Sequence, residues 1–357
     1  MTDKSEEHIR IVDVARMAGV SVATVDRVIH NRGKVSERNL RRIREVLDRV
    51  DYHPNLVARS LASAREQTLA VIIPAFREGE YWADVDRGIE RAAAEAGRFN
   101  VRVRKFSFDQ YDRTSFERTL TRVRDEHFDG VVIATLFAEM VVEFTRELDE
   151  QQIPYVFVDS DIFGSKRLAY FGTSSFDAGV VAARLLTEGM DRQADLVVAS
   201  IIHRGTGGSN QCRNREEGFS DYLRRVGFRG TVHRASLRLD DDLYNNRVLD
   251  ALFDANPRIA GAVTFNSTCY ILAGYLQRSG REGVKLVGYD IIGRNRDMLL
   301  AGTVTALIAQ RPEAQGYHGV MALCEHLVGG RRVPRVNNMP IDILLKENIR
   351  YYNNNII

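Results

Sequence analysis

Apolar residues in the first 50 positions recur at the spacing of an α-helix in three short segments. The first segment covers 11–18, and Ser21 is a suitable N-cap for a second helix over 22–30. The side chains expected to face inward from this second helix are Val22, Val25, Val28 and Ile29. Ser36 is placed to cap a third helix, whose apolar stripe consists of Leu40, Ile43, Val46, Leu47 and Val50. The pattern predicts a small, marginal bundle that ends at Pro54.

From Leu69 onward, short apolar runs rich in β-branched residues alternate with helical stretches. The first set of runs is 69–74, 101–107, 129–134 and 154–159. The alternation restarts with 168–172, 195–202, 230–236, 260–265 and 284–289. Such alternation is typical of parallel sheets with crossover helices, and two successive sets favour two similar lobes. We therefore predict a small all-α domain followed by two doubly wound parallel-sheet lobes, with a ligand pocket between them at the carboxyl ends of the strands.

The length and composition agree with this division. A chain of 357 residues exceeds what one hydrophobic core usually supports, and 44% apolar with 27% charged residues is typical of a globular protein. No run approaches the roughly 20 apolar residues that span a bilayer. Residues 1–9 are expected to form a disordered tail, and positions 1–8 lack the apolar region of a secretory signal. We therefore expect a cytoplasmic protein.

Cofactor and catalytic chemistry find little support in the sequence. Cys212, Cys269 and Cys324 form no CxxC pair, so we expect reduced thiols that pack as small hydrophobes. The eight histidines show no metal-ligand spacing, and no nucleophilic triad is evident. The glycine-rich stretch 204–210 lacks the ending of a P-loop, and we interpret it as a loop over the ligand pocket. The expectation is a protein without cofactor, metal or catalytic site.

Charge separates the two ends of the chain. The net charge is +2, but residues 1–65 contain 13 Lys and Arg against 9 Asp and Glu, a net of +4, which leaves −2 for the remaining 292 residues. A small basic module on a slightly acidic body is the asymmetry expected when one end meets phosphates.

The segment 13–28, together with Val35-Ser36, 52–55, Ala58 and Leu61, resembles the DNA-binding headpiece of the LacI/GalR family of bacterial repressors. The resemblance implies a helix-turn-helix domain over 10–54, here called the headpiece, and a hinge helix with linker over 55–68. It also implies that the hinge helix folds when two copies meet in the minor groove, where Leu61 would act as an apolar wedge.

The chemistry of the second helix fits this resemblance. A helix that begins at Ser21 with small residues can lie close in the major groove, where Ala23 can touch a thymine methyl and Arg27 can bind guanine or a phosphate. The predicted DNA-binding residues are Ser21, Val22, Ala23, Thr24, Arg27, Asn31, Ser36, Asn55, Ala58 and Leu61. Two departures from the family concern Arg10, where a Thr or Ser cap is usual, and Asp26, where a small serine is usual. Asp26 can hold Arg27 in place or accept from a cytosine amino group.

The body of the chain, 69–345, resembles the sugar sensor of the same family, a periplasmic-binding-protein type I fold of the ribose-binding type. The resemblance implies aromatic contacts to a sugar face and polar residues at the ends of strands. The predicted ligand-binding residues are Tyr81, Trp82, Asp159, Arg213, Asn266, Asp290 and Gln310. Ser160 stands where the ribose-type pattern has an arginine, and Glu80 stands where it has a proline, so the ligand is not expected to be simply ribose.

The resemblance also implies three crossings of the chain between the lobes, near 160–168, 309–312 and 335–338. The N-terminal lobe is then predicted to contain 69–161 plus 311–336. The C-terminal lobe is predicted to contain 162–310 plus 337–357.

These observations predict a sequence-specific transcriptional regulator of the repressor type, a homodimer or higher oligomer that binds a near-palindromic operator. A small effector between the lobes, expected to be a sugar or sugar derivative, would control operator affinity by either releasing or promoting DNA binding. A solute-binding protein for sugar uptake is the alternative, but it leaves residues 10–63 unexplained. A sugar-modifying enzyme would need a cofactor fingerprint or an acid–base pair.

Overall fold

Three short helices form the headpiece: α1 (Ile11–Ala18), α2 (Val22–Ile29) and α3 (Glu37–Arg49). The computed structural model describes residues 11–29, 33–50, 65–202 and 209–352. The predicted tail over 1–9 and the predicted hinge helix over 55–63 lie outside these ranges. The buried core shared by the three helices consists of Val14, Ala15, Ala18, Val25, Ile43 and Val46.

One predicted core position of the headpiece is wrong. Val25 is completely buried, but Val22, expected to face inward with it, is 40% exposed. Side chains on a helix lean toward its N-terminus, so a residue at the first position projects past the end of the helix. Val22 is therefore a surface residue at the start of α2.

The body contains two six-stranded sheets, one in each lobe. The first sheet has the order β11-β5-β4-β3-β1-β2 and is built from β1 (Gln67–Pro74), β2 (Val101–Phe108), β3 (Gly130–Ala134), β4 (Tyr155–Val158), β5 (Ala169–Gly172) and β11 (Val336–Asn338). The second has the order β12-β10-β9-β8-β6-β7 and is built from β6 (Asp195–Ile201), β7 (Val232–Leu237), β8 (Ile259–Thr264), β9 (Lys285–Tyr289), β10 (Ala306–Ala309) and β12 (Asp342–Leu344). Neighbouring strands are parallel except for β10 and β12, which are antiparallel. The predicted fold class is confirmed.

Helices cover both faces of each sheet. The first lobe has α4 (Tyr81–Ala96), α5 (Arg113–Arg124), α6 (Ala138–Glu150) and α12 (Pro312–Gly329). The second has α7 (Ser175–Thr187), α8 (Asn210–Arg225), α9 (Asp242–Ala255), α10 (Cys269–Arg278) and α11 (Gly293–Leu300). Alternate residues of β1 enter opposite cores, with Val71 on the side of α4 and Ile72 on the side of α5. This two-sided burial explains why the strands are continuously apolar.

The strand pairing corrects two predicted crossings between the lobes. The run 168–172, expected to open the second set, pairs as β5 with β4 and therefore belongs to the first sheet. The chain enters the second lobe only between β5 and α7, about ten residues after the predicted boundary at 162. The third crossing also comes later, because β11 still pairs with β5 before β12 joins β10. The apolar pattern located these strands but carried no information about their partners.

The two lobes repeat one topology. Matching β1–β5 with β6–β10, and β11 with β12, converts one strand order into the other. Asp159 after β4 and Asp290 after β9 occupy equivalent places, and both have left-handed backbone, with φ of 74° and 66°. Aspartate is one of the few residue types that adopts this conformation readily. The repeat therefore places two similar carboxylates at the edges of the two sheets.

Candidate nucleic-acid interface and ligand cleft

The side chains of one serine and one threonine contact each other at the start of α2. Ser21 Oγ accepts a hydrogen bond from Thr24 N at 3.2 Å and lies 2.8 Å from Thr24 Oγ1. Ser36 caps α3 in the same way, accepting from Asn39 N at 3.4 Å. These contacts agree with the predicted capping roles, and the proposed phosphate contacts of the same residues stay predictions.

The residues that α2 presents to solvent are two small apolar side chains and a guanidinium. Val22, Ala23 and Arg27 are exposed, whereas Thr24 is half-buried. Apolar groups and a forked guanidinium are the features that bind thymine methyls and guanine edges in a major groove. The predicted contacts Asn31, Asn55, Ala58 and Leu61 lie outside the described residues.

A cleft of about 1190 Å³ lies between the two lobes. All seven predicted ligand-binding residues line it: Tyr81, Trp82, Asp159, Arg213, Asn266, Asp290 and Gln310. Tyr81 and Trp82 begin α4 and pack edge to face, with ring centroids 5.1 Å apart. Asp159, Asn266, Asp290 and Gln310 each follow a strand, where ligands of open parallel sheets bind.

Asp159 is hydrogen-bonded to one glutamine side chain from each lobe. Gln211 Nε2, on α8, donates to Asp159 Oδ1 at 2.6 Å. The backbone N–H of Asp159 donates to Gln315 Oε1 at 3.0 Å, and Tyr81 Oη donates to the same oxygen at 3.4 Å. Because α8 and β4 belong to different lobes, the Gln211 bond joins the lobes at the floor of the cleft, whereas Gln315 and Tyr81 lie in the same lobe as Asp159.

Asp290 is held by a second set of donors. Gln310 Nε2 donates to its Oδ1 at 2.8 Å, and Ser267 Oγ donates to its Oδ2 at 2.7 Å. Gln310 Oε1 accepts in turn from Arg215 Nη2 at 2.8 Å, and Arg215 Nη1 donates to the carbonyl of Phe265 at 2.7 Å. The guanidinium of Arg215 also lies over the Tyr289 ring, 4.0 Å from its centroid. Gln310 therefore links the buried cation to the carboxylate.

Burial changes the titration of both carboxyl groups. It raises the pKa of Asp159 to about 6, against the opposing charge of Arg215 and with a further rise from Asp290. Burial likewise raises the pKa of Asp290, again opposed by Arg215. The protonated form of Asp159 is thus accessible just below neutral pH.

Arg213 of α8 was predicted to bind the ligand, whereas Arg215 of the same helix was not. Arg213 lines the cleft but is exposed, whereas Arg215 is fully buried beneath the site. The helical period could have indicated Arg215, because it lies one turn after Gln211 and one turn before the buried Gly218-Phe219 pair. Gln211, Gln315 and Ser267 were also missed, and their identities carry no such signal.

The departures at Ser160 and Glu80 have local explanations. Ser160 is buried, and its hydroxyl accepts from Asn210 Nδ2 at 3.0 Å, a contact between the lobes. The neighbouring Asp161 pairs with Arg167 at 2.5 Å instead of facing a ligand. Glu80 lines the cleft and accepts from the backbone N–H of Arg77 at 3.0 Å. Ser160 therefore contributes a contact between the lobes, whereas Glu80 remains part of the cleft lining.

The described ranges also bear on metal binding and membrane insertion. They contain no group of three or more His, Cys, Asp or Glu side chains arranged to bind a metal ion. None of their helices has the length and apolar character needed to cross a membrane.

Comparisons with known proteins agree with both parts of the chain. Residues 10–55 match the family model of bacterial regulatory proteins of the lacI family, and residues 69–331 match that of the periplasmic binding protein domain. The ribose operon repressor of Halalkalibacterium halodurans is 27% identical over 286 residues, which cover 78% of this chain and 80% of that protein. The transcriptional regulator IdnR of Escherichia coli is 26% identical over 310 residues, covering 83% and 87%.

A solved structure gives the same result. The crystal structure of a candidate LacI transcriptional regulator from Bacteroides fragilis superposes with a TM-score of 0.76 at 39% identity, over 81% of this chain and 100% of that one. The named relatives are regulators and not enzymes, and the headpiece match favours a regulator over a solute-binding protein for uptake. The chain belongs to the LacI family of bacterial regulatory proteins and is a DNA-binding transcriptional regulator with a sensor domain of the periplasmic binding protein type.

Proposed function

We propose that this regulator is a homodimeric repressor whose affinity for its operator is controlled by a sugar or sugar derivative bound in the cleft. The observation that carries the proposal is the convergence of seven residues, from both lobes and the connection between them, on one cleft. That cleft combines aromatic rings with buried carboxylates, the combination that suits the apolar faces and polar rims of sugars. The name of the ribose operon repressor supports a sugar effector.

Two copies of the headpiece would read two half-sites of a near-palindromic operator. In each copy, Val22 and Ala23 would contact base edges, Thr24 and Arg27 would contact bases or phosphates, and three residues would contact phosphates: Ser21, Asn31 and Ser36. The hinge residues Asn55, Ala58 and Leu61 would enter the minor groove between the half-sites. Such a regulator acts where the chromosome is, so the proposed location is the cytoplasm.

Ligand binding would act through the contacts between the lobes. A sugar that binds Asp159 on one lobe and Asp290 on the other changes the relative stability of open and closed arrangements. The resulting coupling to DNA affinity is expected to be roughly 1–3 kcal/mol, about a 5- to 150-fold change. Ligand binding can either weaken or strengthen operator binding under this proposal.

The test begins with an operator selected by the full chain from random duplex DNA. Operator affinity is then measured with and without each member of a monosaccharide panel, and we expect at least one sugar to change it about fivefold or more. The same sugar should stabilise the protein thermally, by roughly 2.7 kcal/mol at 100 times its dissociation constant. Failure to select any duplex, with and without sugars, would contradict the proposal.

Paired variants separate the two sites. Arg27→Ala should lose operator affinity but retain the thermal stabilisation by the sugar. Asn266→Ala should retain operator binding but weaken the response to the sugar. Sedimentation of the full chain with operator measures the stoichiometry, for which we expect two chains per duplex.

A further inference from the structure

Charge in the cleft varies with depth. Among the described lining residues, seven are acidic and four are basic. The acidic residues are Glu78, Glu80, Asp109, Glu139, Asp159, Asp240 and Asp290. The basic residues are Arg77, Arg113, Arg213 and Arg294.

Exposure separates these charges. Asp159 and Asp290 are 4% and 5% exposed, whereas each of the four lining arginines is exposed. One of these arginines, Arg113, is already paired with Glu139 at 3.2 Å. The floor of the described lining therefore carries the two buried carboxylates, Asp159 and Asp290, whereas the four arginines and the other five carboxylates lie at the rim.

The buried cation of the site does not change this arrangement. Arg215 has no exposed surface, and its two terminal nitrogens donate to Phe265 O and to Gln310 Oε1. It offsets the charge of the carboxylates from behind the cleft wall. A ligand in the cleft meets the carboxylates and not the guanidinium.

The hydrogen bonds at the floor leave acceptors facing the ligand. Gln211 and Gln310 donate to the two carboxylates, and the Tyr81 hydroxyl donates to Gln315. Each carboxylate oxygen can accept more than one hydrogen bond. A ligand group that contacts Asp159 or Asp290 must therefore donate, and an anionic group beside them would meet two buried negative charges without a facing cation.

We propose that the cleft selects uncharged and amino-substituted sugars, whose hydroxyl or ammonium groups donate to Asp159 and Asp290, and rejects sugar phosphates and sugar acids. This inference rests on the proposed function, since it assumes that a sugar occupies the cleft. It adds to that function a statement about the charge of the effector, which is neutral or positive and not negative.

The experiment uses matched ligand sets on the full chain. For each of several hexose and pentose skeletons, the neutral sugar, its 2-amino-2-deoxy derivative, its aldonic acid and its terminal phosphate are compared by calorimetry. We expect the neutral or amino sugar of the binding skeleton to bind at least about tenfold more tightly than the acid and the phosphate. Equal or tighter binding of the acid or the phosphate would overturn the inference and leave a sugar-responsive regulator intact.

A variant pair tests the role of the buried charge. Asp290→Asn keeps a carbonyl acceptor but removes the charge, so it should reduce the affinity for an amino sugar more than for the neutral sugar. Asp254→Asn removes an exposed carboxylate of α9 outside the cleft and should leave both affinities unchanged. Equal losses for both sugars in Asp290→Asn would overturn the charge argument. If no member of any set binds, both this inference and the sugar effector of the proposed function fail.

Discussion

Asp159 couples ligand binding to pH at the scale of a single residue. Because burial raises its pKa to about 6, the ionised form that accepts ligand hydroxyls is lost as pH falls through this value. Proton binding then competes with ligand binding, so affinity should fall by up to about tenfold per pH unit below 6. Calorimetry between pH 7.5 and 5 measures this. Asp159→Asn should lack this part of the pH dependence, and a flat wild-type profile would contradict the assignment.

The two arginines of α8 should respond differently to substitution. Arg215→Met removes a buried cation that offsets two carboxylates and donates to Gln310, so it should destabilise the fold by roughly 3–5 kcal/mol. Arg213→Ala removes an exposed side chain and should change stability by less than about 0.5 kcal/mol. Thermal unfolding compares them, and equal stability losses would contradict the structural difference.

The response of operator binding to the effector tests the role of Arg213 in the ligand site. We expect Arg213→Ala to abolish the effector response while operator binding stays intact, since this residue lines the cleft. Unchanged ligand affinity together with lost operator binding would remove Arg213 from the ligand site.

The sequence predicted the strand-end residues of the cleft well because their positions follow from the topology of parallel sheets. Gln211 and Gln315 escaped prediction because their roles depend on contacts between distant segments.

At the scale of elements, glycines set how closely helices cross. A Cβ atom at Gly88 of α4 would lie 1.9 Å from the carbonyl oxygen of Glu313 in α12, and one at Gly316 would lie 2.1 Å from that of Val85. Gly179 of α7 and Gly218 of α8 make the equivalent crossing in the second lobe, with clashes at 1.9 Å. Each lobe therefore contains one pair of helices in backbone contact, α4 with α12 in the first lobe and α7 with α8 in the second.

The prediction is that Gly88→Ala forces α4 and α12 apart and destabilises the first lobe by roughly 1–3 kcal/mol. Gly97→Ala, at the end of α4, is the matched control, because a Cβ there has open space and the backbone is helical, with φ of −57°. It should be neutral or stabilise by up to about 1 kcal/mol. Chemical denaturation measures both, and a Gly88→Ala variant as stable as Gly97→Ala would refute the close crossing.

The positions of the strands could be predicted from the sequence, but the pairing of β5 could not. All nine predicted runs are strands, because a continuous apolar run with β-branched residues is a local property. The partner of β5 is a long-range property, and this strand was predicted in the wrong lobe. The short strands β11 and β12 were not predicted, since β11 is largely exposed and has no apolar run.

At the scale of the whole molecule, the basic headpiece and the slightly acidic body divide two tasks between separate parts of one chain. Coupling between them is reciprocal: a sugar that weakens operator binding must itself bind more weakly in the presence of operator, by the same factor. Neither part contains this coupling alone. The predicted hinge helix connects the two parts, so variants there should change the coupling as well as operator affinity, since its residues are proposed to enter the minor groove.

The contribution of Arg27 distinguishes the two ways in which the headpiece can hold DNA. Phosphate contacts release counterions, so operator affinity should fall steeply between about 50 and 200 mM salt. If Arg27 binds a phosphate, Arg27→Ala should weaken all duplexes alike and reduce the slope of log affinity against log salt by about 1. If it forks onto guanine, the variant should lose roughly 1–3 kcal/mol on the selected operator and tolerate other bases at one position. The exposed position of Arg27 on α2 permits both contacts, whereas an unchanged slope with unchanged base preference would mean that α2 is not the recognition helix.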